Sequence, residues 1–428
     1  MPGDTSGTHA EHREARVIWL NRFFHPDESA TSLMLTDLVR DLAGQGGSDR
    51  HHLITSNARY AGGHGADGAT IAGVTVHRIA AFGRNNKSLA VRLGNFVLFY
   101  SGAFFLLLRH ARRGDTIVAL TDPPLIGTVA ALAARLKRAR LLHWVQDIFP
   151  ETATRLGFAR EGGTLEAVLV GLRDSAWRRA ATCVVIGERM QEFLVDHAVT
   201  PDRIAVVPNW ADDRAITPVA VDDNALRRDW GYAPEDCVIG YSGNLGRAHE
   251  VATKVAAMLR LRDDGPDNAR FLFIGGGARQ DELRQMAGEW DGDRLAFQPY
   301  QPLARLAESL SVPDAHWISL LPQLEGLIVP SKLYGALAAG RAVVFVGDPQ
   351  GEVARLLAEG ECGASFPPGD GDALAAYLAR LAHDAPWRQQ LGRNARDFVD
   401  RELHREGRIA AWRSVLVQQQ GRPEAGAA

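Results

Sequence analysis

The sequence predicts an α/β protein made of two successive doubly wound units, each a parallel sheet covered by helices. Short runs of β-branched and apolar residues alternate with longer helical patterns, which is typical of parallel α/β layers. The alternation stops at an Asp- and Pro-rich stretch, Pro208–Pro234, and then restarts. A length of 428 residues is too great for one ordinary domain and suits two or three.

Thirteen short runs are expected to be strands. In the first half they are Val17–Leu20, Leu53–Ser56, Val74–Ile79, Thr116–Leu120, Leu141–Val145, Cys183–Ile186 and Ile204–Val207. In the second half they are Val238–Ser242, Phe271–Ile274, Leu295–Phe297, His316–Ser319, Ala342–Val346 and Ala364–Phe366. Helical patterns such as Thr31–Ala43 and Leu125–Lys137 lie between most of them.

The predicted organisation has five parts. A polar tail at 1–15 precedes an N-terminal domain at 16–208 and a C-terminal domain at 209–395, with Pro208–Pro234 as the linker. A helix at 396–417 is expected to pack back toward the N-terminal domain, and 418–428 is expected to be a disordered tail. The first residues have no apolar core of the kind that a signal peptide needs.

Charge and cysteine content exclude several classes of protein. The formal net charge is −3, so the whole-chain balance does not indicate a nucleic-acid-binding protein. Cys183, Cys237 and Cys362 are odd in number and far apart, which favours a reducing compartment over a disulfide framework. The fourteen histidines have neither HxxxH nor HExxH spacing, so no metal site is expected. The sequence also lacks the GxSxG motif of hydrolases.

One uncharged segment has two compatible interpretations. Leu93–Leu108 is sixteen residues long, short of the ~20 that span a bilayer. The interval Arg78–Arg140 holds eleven Lys and Arg, with only Asp115 and Asp122 as acids. One interpretation is a buried core helix; the other is a helix lying in a membrane interface, with basic residues over anionic headgroups, and both can hold at once. Phe104, Phe105, Arg109, Arg112 and Arg113 are its candidate contact residues.

Three segments place polar or glycine residues where a strand ends and a helix begins. The first runs from Asn21 to Ser32, in which Ser29 and Thr31 are either helix caps or phosphate contacts. The second is Gly240–Arg247, whose glycines allow close approach of a ligand and whose Arg247 can pair with a diphosphate. The first segment contains no GxGxxG, which argues against a dinucleotide-binding fold.

The third segment, Glu325–Gly340, carries the strongest signal. A carboxylate on an apolar loop is followed by the helix-opening residues Pro330 and Ser331, and then by Lys332. An acid beside a helix start with a lysine suits a sugar hydroxyl next to a phosphate. A capped surface helix would explain the spacing but not the apolar loop.

With these residues in view, the chain resembles the GT-B glycosyltransferases of family 4, in the bacterial branch that builds O-antigen, capsule and exopolysaccharide. The resemblance spans nearly the whole chain. It rests on His25-Pro-Asp-Glu-Ser-Ala-Thr, Trp144-Val-Gln-Asp-Ile-Phe-Pro-Glu, Val207-Pro-Asn-Trp-Ala-Asp, Tyr241-Ser-Gly-Asn-Leu-Gly-Arg-Ala-His-Glu and Leu324-Glu-Gly-Leu-Ile-Val-Pro-Ser-Lys. These motifs are specific together and weak singly.

The resemblance implies two Rossmann-like domains facing across a cleft, with a nucleotide-sugar bound mainly by the C-terminal domain. It implies sugar transfer with retention of configuration, without a metal or other cofactor. Glu325 would contact donor sugar hydroxyls, and Asp147 sits where the family often has an acceptor-side His or Asp. The implied diphosphate and sugar contacts are Gly243, Asn244, Arg247, Leu327, Ser331 and Lys332, with Ser29 and Thr31 from the opposite domain.

The sequence departs from the family at one position. The second glutamate of the family's paired-Glu motif, usually a ribose ligand, falls at Gly335. Glu250 or Tyr300 is expected to supply the nucleoside contact in place of the missing glutamate.

The implied partners are a nucleotide-sugar, a lipid-linked saccharide acceptor and an anionic membrane surface, and not nucleic acid. The implied location is the inner face of the cytoplasmic membrane. The alternatives are a nucleotide-sugar epimerase of the same fold and a non-catalytic sugar-nucleotide-binding protein.

Overall fold

The fold is α/β, with one eight-stranded and one six-stranded sheet, and it confirms the predicted class. The computed structural model describes residues 15–44, 50–57, 70–71, 73–81, 89–288, 290 and 294–421. Its first part contains β1 (Val17–Leu20), α1 (Ala30–Gly44), β2 (His51–Ser56), β3 (Thr70–Ile71), β4 (Val74–Ile79), α2 (Leu89–His110), β5 (Thr116–Ala119), α3 (Ile126–Lys137), β6 (Arg140–Val145), α4 (Glu151–Arg155), α5 (Thr164–Arg179), β7 (Thr182–Val185), α6 (Glu188–Asp196) and β8 (Ile204–Val206).

The second part repeats the alternation. It contains α7 (Ala225–Asp229), β9 (Cys237–Asn244), α8 (Ala252–Asp264), β10 (Ala269–Gly276), α9 (Gln280–Ala287), β11 (Leu295–Gln298), α10 (Leu306–Ser311), β12 (Ala315–Ser319), α11 (Lys332–Ala338), β13 (Ala342–Val346), α12 (Glu352–Glu359), β14 (Gly363–Phe366), α13 (Gly371–His383), α14 (Ala385–Phe398) and α15 (Arg405–Gly421). All thirteen predicted strands are present, within a few residues at each end. The strand that was not predicted, β3, has two residues.

The strand orders are those of doubly wound sheets. The first sheet runs β3-β4-β2-β1-β5-β6-β7-β8 and the second runs β11-β10-β9-β12-β13-β14. Every neighbouring pair in the second sheet is parallel. Strands β1, β5, β12 and β13 are buried at every residue, which explains why they read as continuous apolar runs. In such sheets ligands bind at the carboxyl ends of the strands, near the point where the strand order reverses.

The compact units differ from the predicted domains. One unit comprises residues 1–143, 179–181 and 415–428, and the other comprises 144–178 and 182–414. The predicted boundary at 208 thus falls inside the second unit. Within that unit the chain after β6 is bonded to the C-terminal part: the Ile148 amide donates to the Leu327 carbonyl (2.9 Å), and the Glu188 amide donates to the Glu352 carboxylate (2.9 Å).

Two further organisational predictions need correction. The expected linker contains α7, whose Arg227 is 1% exposed and donates to the Val312 carbonyl and to Asp314. The stretch therefore packs as part of the second unit. The expected single helix at 396–417 is instead the end of α14, a π-helical turn at Val399–Leu403, and α15. The last helix reaches Gly421, beyond the predicted tail boundary.

Candidate functional site

Two glycines bring the ends of β9 and β10 into close approach at the carboxyl edge of the six-stranded sheet. Gly243 and Gly275 have φ values of +122° and +117°, a region that side chains disfavour. A Cβ atom on Gly275 would lie 2.5 Å from the Gly243 carbonyl oxygen. Glycine is required at these positions because any side chain would separate the two strand ends.

Lys332, the first residue of α11, lies directly beside this edge. A Cβ atom on Gly243 would be 2.7 Å from Lys332 Cε, so only glycine leaves room for the lysine. Lys332 Nζ lies 3.4 Å from Nε2 of His249 and 5.6 Å from the centre of the Tyr241 ring. Burial lowers the pKa of Lys332 to about 8, because it disfavours the ammonium form. The structure thus brings together Gly243 and Lys332, two residues predicted to meet a diphosphate.

His249 is a site residue that sequence reasoning missed, although it lies in one of the quoted motifs. Its Nδ1 donates to the Ser319 carbonyl at the end of β12 (2.7 Å), which leaves Nε2 to accept from Lys332. Burial, followed by Lys332 and Lys254, lowers the pKa of His249 to about 3. A neutral imidazole therefore orients the lysine ammonium without competing with it for an anion.

Lys254 was also missed, because a lysine in a helical pattern is normally taken as exposed. It is fully buried on α8, and its ammonium lies 4.8 Å from the Tyr241 ring and 5.4 Å from the Trp317 ring. Within the described part of the chain its Nζ makes no hydrogen bond. Burial lowers the pKa of Lys254 to about 7, and the attraction of Glu250 partly offsets this effect.

Glu325 lies on the loop after β12, and its two carboxylate oxygens differ in their hydrogen bonding. Its Oε1 accepts from the Glu352 amide at the start of α12 (2.8 Å). Its Oε2 is buried and makes no hydrogen bond among the described residues. Burial, and to a smaller extent the nearby Asp348, raises the pKa of Glu325. One oxygen is therefore held in place by the backbone while the other can accept a hydrogen bond from a hydroxyl group.

Asp147 is brought next to the Glu325–Lys332 loop by the backbone. It forms an isolated antiparallel bridge with Ile328, and its side chain is exposed. The prediction for Leu327 needs correction: its side chain is buried and its amide already donates to the Leu324 carbonyl (3.0 Å), so that amide is not available to a phosphate. Ser331 immediately precedes α11 and makes no side-chain cap.

Asn244, the last residue of β9, and Arg247, three residues further on, are both exposed. The Arg247 guanidinium lies 4.8 Å from the centre of the Phe158 ring, a cation–π arrangement. The Asn244 carbonyl accepts from the Tyr241 hydroxyl (2.7 Å), which closes the turn. Arg247 is thus positioned by an aromatic ring.

The two candidates for the nucleoside contact differ. Both carboxylate oxygens of Glu250 accept from the Thr253 amide (3.0 and 3.2 Å), so Glu250 caps α8 and is not directed to a nucleoside. Tyr300 is 60% exposed, and its ring lies against Gly275 and Gly276. A Cβ atom on Gly335 would lie 3.2 Å from Leu310 Cδ1, so that position is crowded. Of the two residues, Tyr300 therefore remains the candidate for the nucleoside contact.

Ser29 and Thr31 belong to the first compact unit. The turn before α1 is ordered by Asp27, whose Oδ1 accepts from the Ser29 amide (2.8 Å) and whose carbonyl accepts from the Ser32 hydroxyl (2.9 Å). The Ser29 hydroxyl is buried and makes no hydrogen bond in the described part of the chain. Asp27 therefore orders the turn, and the Ser29 hydroxyl is left for another partner.

Helix α2, also in the first unit, contains the uncharged segment that has two interpretations. At 22 residues it is longer than the uncharged run, and its stretch Val91–His110 is long and apolar enough to cross a membrane. Only 17% of the apolar window is buried, so α2 is not a core helix. One stripe, Phe99, Ala103 and Leu107, packs inward. The prediction that this stretch is too short to span does not hold for the helix as formed.

The outward side of α2 continues onto α3, against which it packs. Val97 and Phe105 are 65% and 68% exposed. We call the α2 surface the exposed set Leu93, Val97, Phe105, Leu132 and Leu136, with the exposed basic residues Arg92, Arg109, Arg112, Arg113, Arg135 and Arg138. The two acids of the segment are paired elsewhere, Asp115 with Arg16 (2.8 Å) and Asp122 with Arg22 (3.2 Å). They therefore do not offset the positive charge of this surface.

Comparison with known proteins gives two family matches. Residues 6–210 match the "Glycosyl transferase 4-like domain", and residues 222–398 match "Glycosyl transferases group 1". The chain is 28% identical to "Probable glycosyltransferase WbjE" of Pseudomonas aeruginosa over 70% of this chain and 74% of the relative. It is 25% identical to the "Putative colanic acid biosynthesis glycosyl transferase WcaI" of Escherichia coli over 78% and 81%.

Solved structures share the fold at lower identity. The sucrose-phosphate synthase of Thermosynechococcus elongatus superposes with a TM-score of 0.72 at 18% identity, covering 94% of this chain and 98% of that one. The Anabaena protein Alr3699/HepE, solved in complex with UDP-glucose, has a TM-score of 0.69 at 17% identity, covering 95% and 100%.

Proposed function

Because the chain belongs to the glycosyltransferases of GT-B fold and family 4 type, we propose that it moves a sugar from a nucleotide-sugar donor to a saccharide acceptor with retention of configuration. The observation that carries the donor assignment is the buried Lys332 beside Gly243, oriented by neutral His249. A buried ammonium with no acidic partner among the described residues, at the carboxyl edge of a parallel sheet, suits a diphosphate. The UDP-glucose complex of the Anabaena neighbour supports this choice of ligand class.

In the proposed reaction the bond between the sugar anomeric carbon and the diphosphate breaks as the acceptor hydroxyl attacks from the same face. The departing diphosphate takes the acceptor proton, so no enzymic nucleophile is needed. Lys332 and Arg247 stabilise the negative charge that develops on the diphosphate. Glu325 holds a donor hydroxyl with Oε2 while the α12 backbone fixes Oε1. Tyr300 provides a face for the base, and Asp147 lies on the acceptor side.

The proposed acceptor is a polyprenyl-diphosphate-linked saccharide used in surface polysaccharide assembly. The α2 surface supports this proposal, because exposed apolar side chains flanked by arginines suit anionic headgroups. The relative named for colanic acid biosynthesis supports the polysaccharide role. The protein would then work at the inner face of the cytoplasmic membrane.

The test is a panel of UDP-, GDP- and dTDP-sugars incubated with purified protein and a polyprenyl-diphosphate-sugar, with products identified by mass spectrometry. We expect the acceptor to gain one sugar with one donor class, and EDTA to leave the rate unchanged. An isomerised or free sugar formed without acceptor would instead indicate an epimerase. Binding of a donor without turnover would indicate a non-catalytic protein, and activity lost in EDTA and restored by Mg²⁺ or Mn²⁺ would contradict the metal-free mechanism.

A further inference from the structure

Three histidines from separate parts of the sequence meet in the first compact unit. His52 lies on β2, His77 lies on the neighbouring strand β4, and His110 is the last residue of α2. All three are half-buried, so an ion from solvent can reach them. Their sequence separations gave no sign of this, because the ligands come from two strands and a helix end and not from one helix. They take no part in the proposed transfer reaction.

The ring nitrogens have a spacing that suits one metal ion. Nδ1 of His52 lies 3.2 Å from Nε2 of His77, and one nitrogen from each of the three rings lies within 4.8 Å of the others. Two imidazole nitrogens bound to one tetrahedral zinc, at roughly 2.0–2.1 Å each, are about 3.3 Å apart. The first pair already has that separation. His110, whose ring centre lies 4.0 Å from that of His77, supplies the third nitrogen within this distance.

Two arginines, Arg16 and Arg109, lie close enough to act on His110. Arg16 donates to the His110 carbonyl, but its charge is paired with Asp115 at 2.8 Å. The carboxyl end of the 22-residue helix α2 contributes negative partial charge.

We propose that His52, His77 and His110 bind one divalent transition-metal ion, of which zinc is the best fit, with water completing the coordination. Three imidazoles suit zinc, copper or nickel and not the oxygen-preferring magnesium or calcium. The ion joins the end of α2 to β2 and β4, and so stabilises the unit that carries the α2 surface. It has no role in sugar transfer, so the inference stands independently of the proposed function.

The test uses tag-free full-length protein, stripped with a chelator and titrated with Zn²⁺ by calorimetry. We expect one ion per chain with a micromolar or tighter Kd. At a hundredfold excess over Kd the unfolding temperature should rise by about 5 °C or more. Chelation should lower the unfolding temperature and leave the transfer rate unchanged well below the transition. Absence of stoichiometric binding would overturn the proposal and leave an ordinary hydrogen bond between two imidazoles.

Matched variants assign the ligands. His52→Gln, His77→Gln and His110→Gln should each abolish the stoichiometric binding, while His383→Gln, at the exposed end of α13, should bind as the wild type does. Binding that survives in the three cluster variants would overturn the assignment. X-ray absorption on the zinc-loaded wild type covers the case in which a variant fails to fold: three imidazole ligands are expected, and fewer than three would contradict the site.

Discussion

Glu325 is the residue on which the assignment of the sugar contact depends. Glu325→Gln should lower kcat by at least about tenfold and leave nucleoside-diphosphate binding nearly unchanged, because the lost interaction is with the sugar in the transition state. The Glu352 amide can still donate to the amide oxygen of the variant, so the loop should keep its conformation. Turnover with the preferred donor measures the change in kcat, and calorimetry with the nucleoside diphosphate measures the change in binding.

Glu359→Gln, on the exposed side of α12, is the control for Glu325→Gln and should be neutral. If Glu325→Gln retains wild-type kcat, the sugar contact lies elsewhere.

Lys332 and Arg247 should together set the affinity for the diphosphate. Replacing either by alanine should weaken binding by ~1.5–3 kcal/mol, the range for charge-assisted contacts. Since burial lowers the pKa of Lys332 to about 8, raising the pH from 7 to 9 deprotonates it and should weaken binding about tenfold. Binding at pH 8 should take up about half a proton. Calorimetry in two buffers of different ionisation enthalpy measures both effects.

Lys332→Arg is the control for the pH effect, because a guanidinium stays charged over this range. It should flatten the pH dependence and abolish proton uptake. A wild-type affinity that does not change between pH 7 and 9 would remove Lys332 from the diphosphate site.

Lys254 should be a source of instability at neutral pH. Its pKa is about 7 in the native protein and roughly 10.5 when unfolded, so the unfolded chain binds more protons between these values. Stability should therefore rise with pH across this window. Lys254→Met should stabilise the protein at pH 6.5 by roughly 1–3 kcal/mol, with the gain vanishing toward pH 10. Thermal melts at several pH values test this, with Lys137→Met as control; an equal pH dependence in wild type and Lys254→Met would contradict it.

The proximity of two site residues could be predicted from motifs, as with Gly243 and Lys332, which lie side by side in the structure. Glu250 and Leu327 were assigned differently because local hydrogen bonds, to the Thr253 amide and the Leu324 carbonyl, use groups that a motif leaves unspecified. His249 and Lys254 act through burial, which depends on the packing of distant segments. A sequence motif does not indicate how deeply a side chain is buried.

Among the secondary-structure elements, α2 is the one expected to direct the protein to membranes. Wild type should bind anionic vesicles at low salt, because each basic residue near such a surface contributes ~1 kcal/mol. Salt should weaken this binding and leave a residual binding that depends on the apolar side chains. Val97→Ser with Phe105→Ser should remove the residual without unfolding, because both side chains point outward. Leu107 is unsuitable as a probe since it is buried.

Vesicle flotation beside a thermal melt measures the effect of the α2 substitutions. Met286→Ser with Leu303→Ser, which remove exposed apolar side chains of the second unit, should float like the wild type. Failure of the folded wild type to bind anionic vesicles at low salt would reject the membrane proposal.

Strands were predicted well because parallel strands buried on both faces, such as β12 and β13, leave an unmistakable apolar run. Helix ends were predicted less well. The length of α2 was underestimated because the uncharged run was taken as the helix, whereas the helix extends to Leu89 and His110 on either side.

At the scale of the whole molecule, the two-sheet architecture followed from the restart of the alternation, but the division into compact units did not. Hydrogen bonds between residues far apart in sequence, such as Ile148 to Leu327, place 144–178 with the C-terminal part. Periodicity and composition are local properties of the chain. They cannot indicate which distant segments will pair.

The most direct test of the donor site is a crystal structure with the nucleoside diphosphate that calorimetry selects. The diphosphate oxygens should lie within hydrogen-bonding distance of Lys332 Nζ and of the backbone at Gly243 and Asn244, with the terminal phosphate facing Glu325. A nucleotide bound elsewhere, or bound with Lys332 still directed only to His249, would contradict the assignment of this edge of the sheet as the donor site.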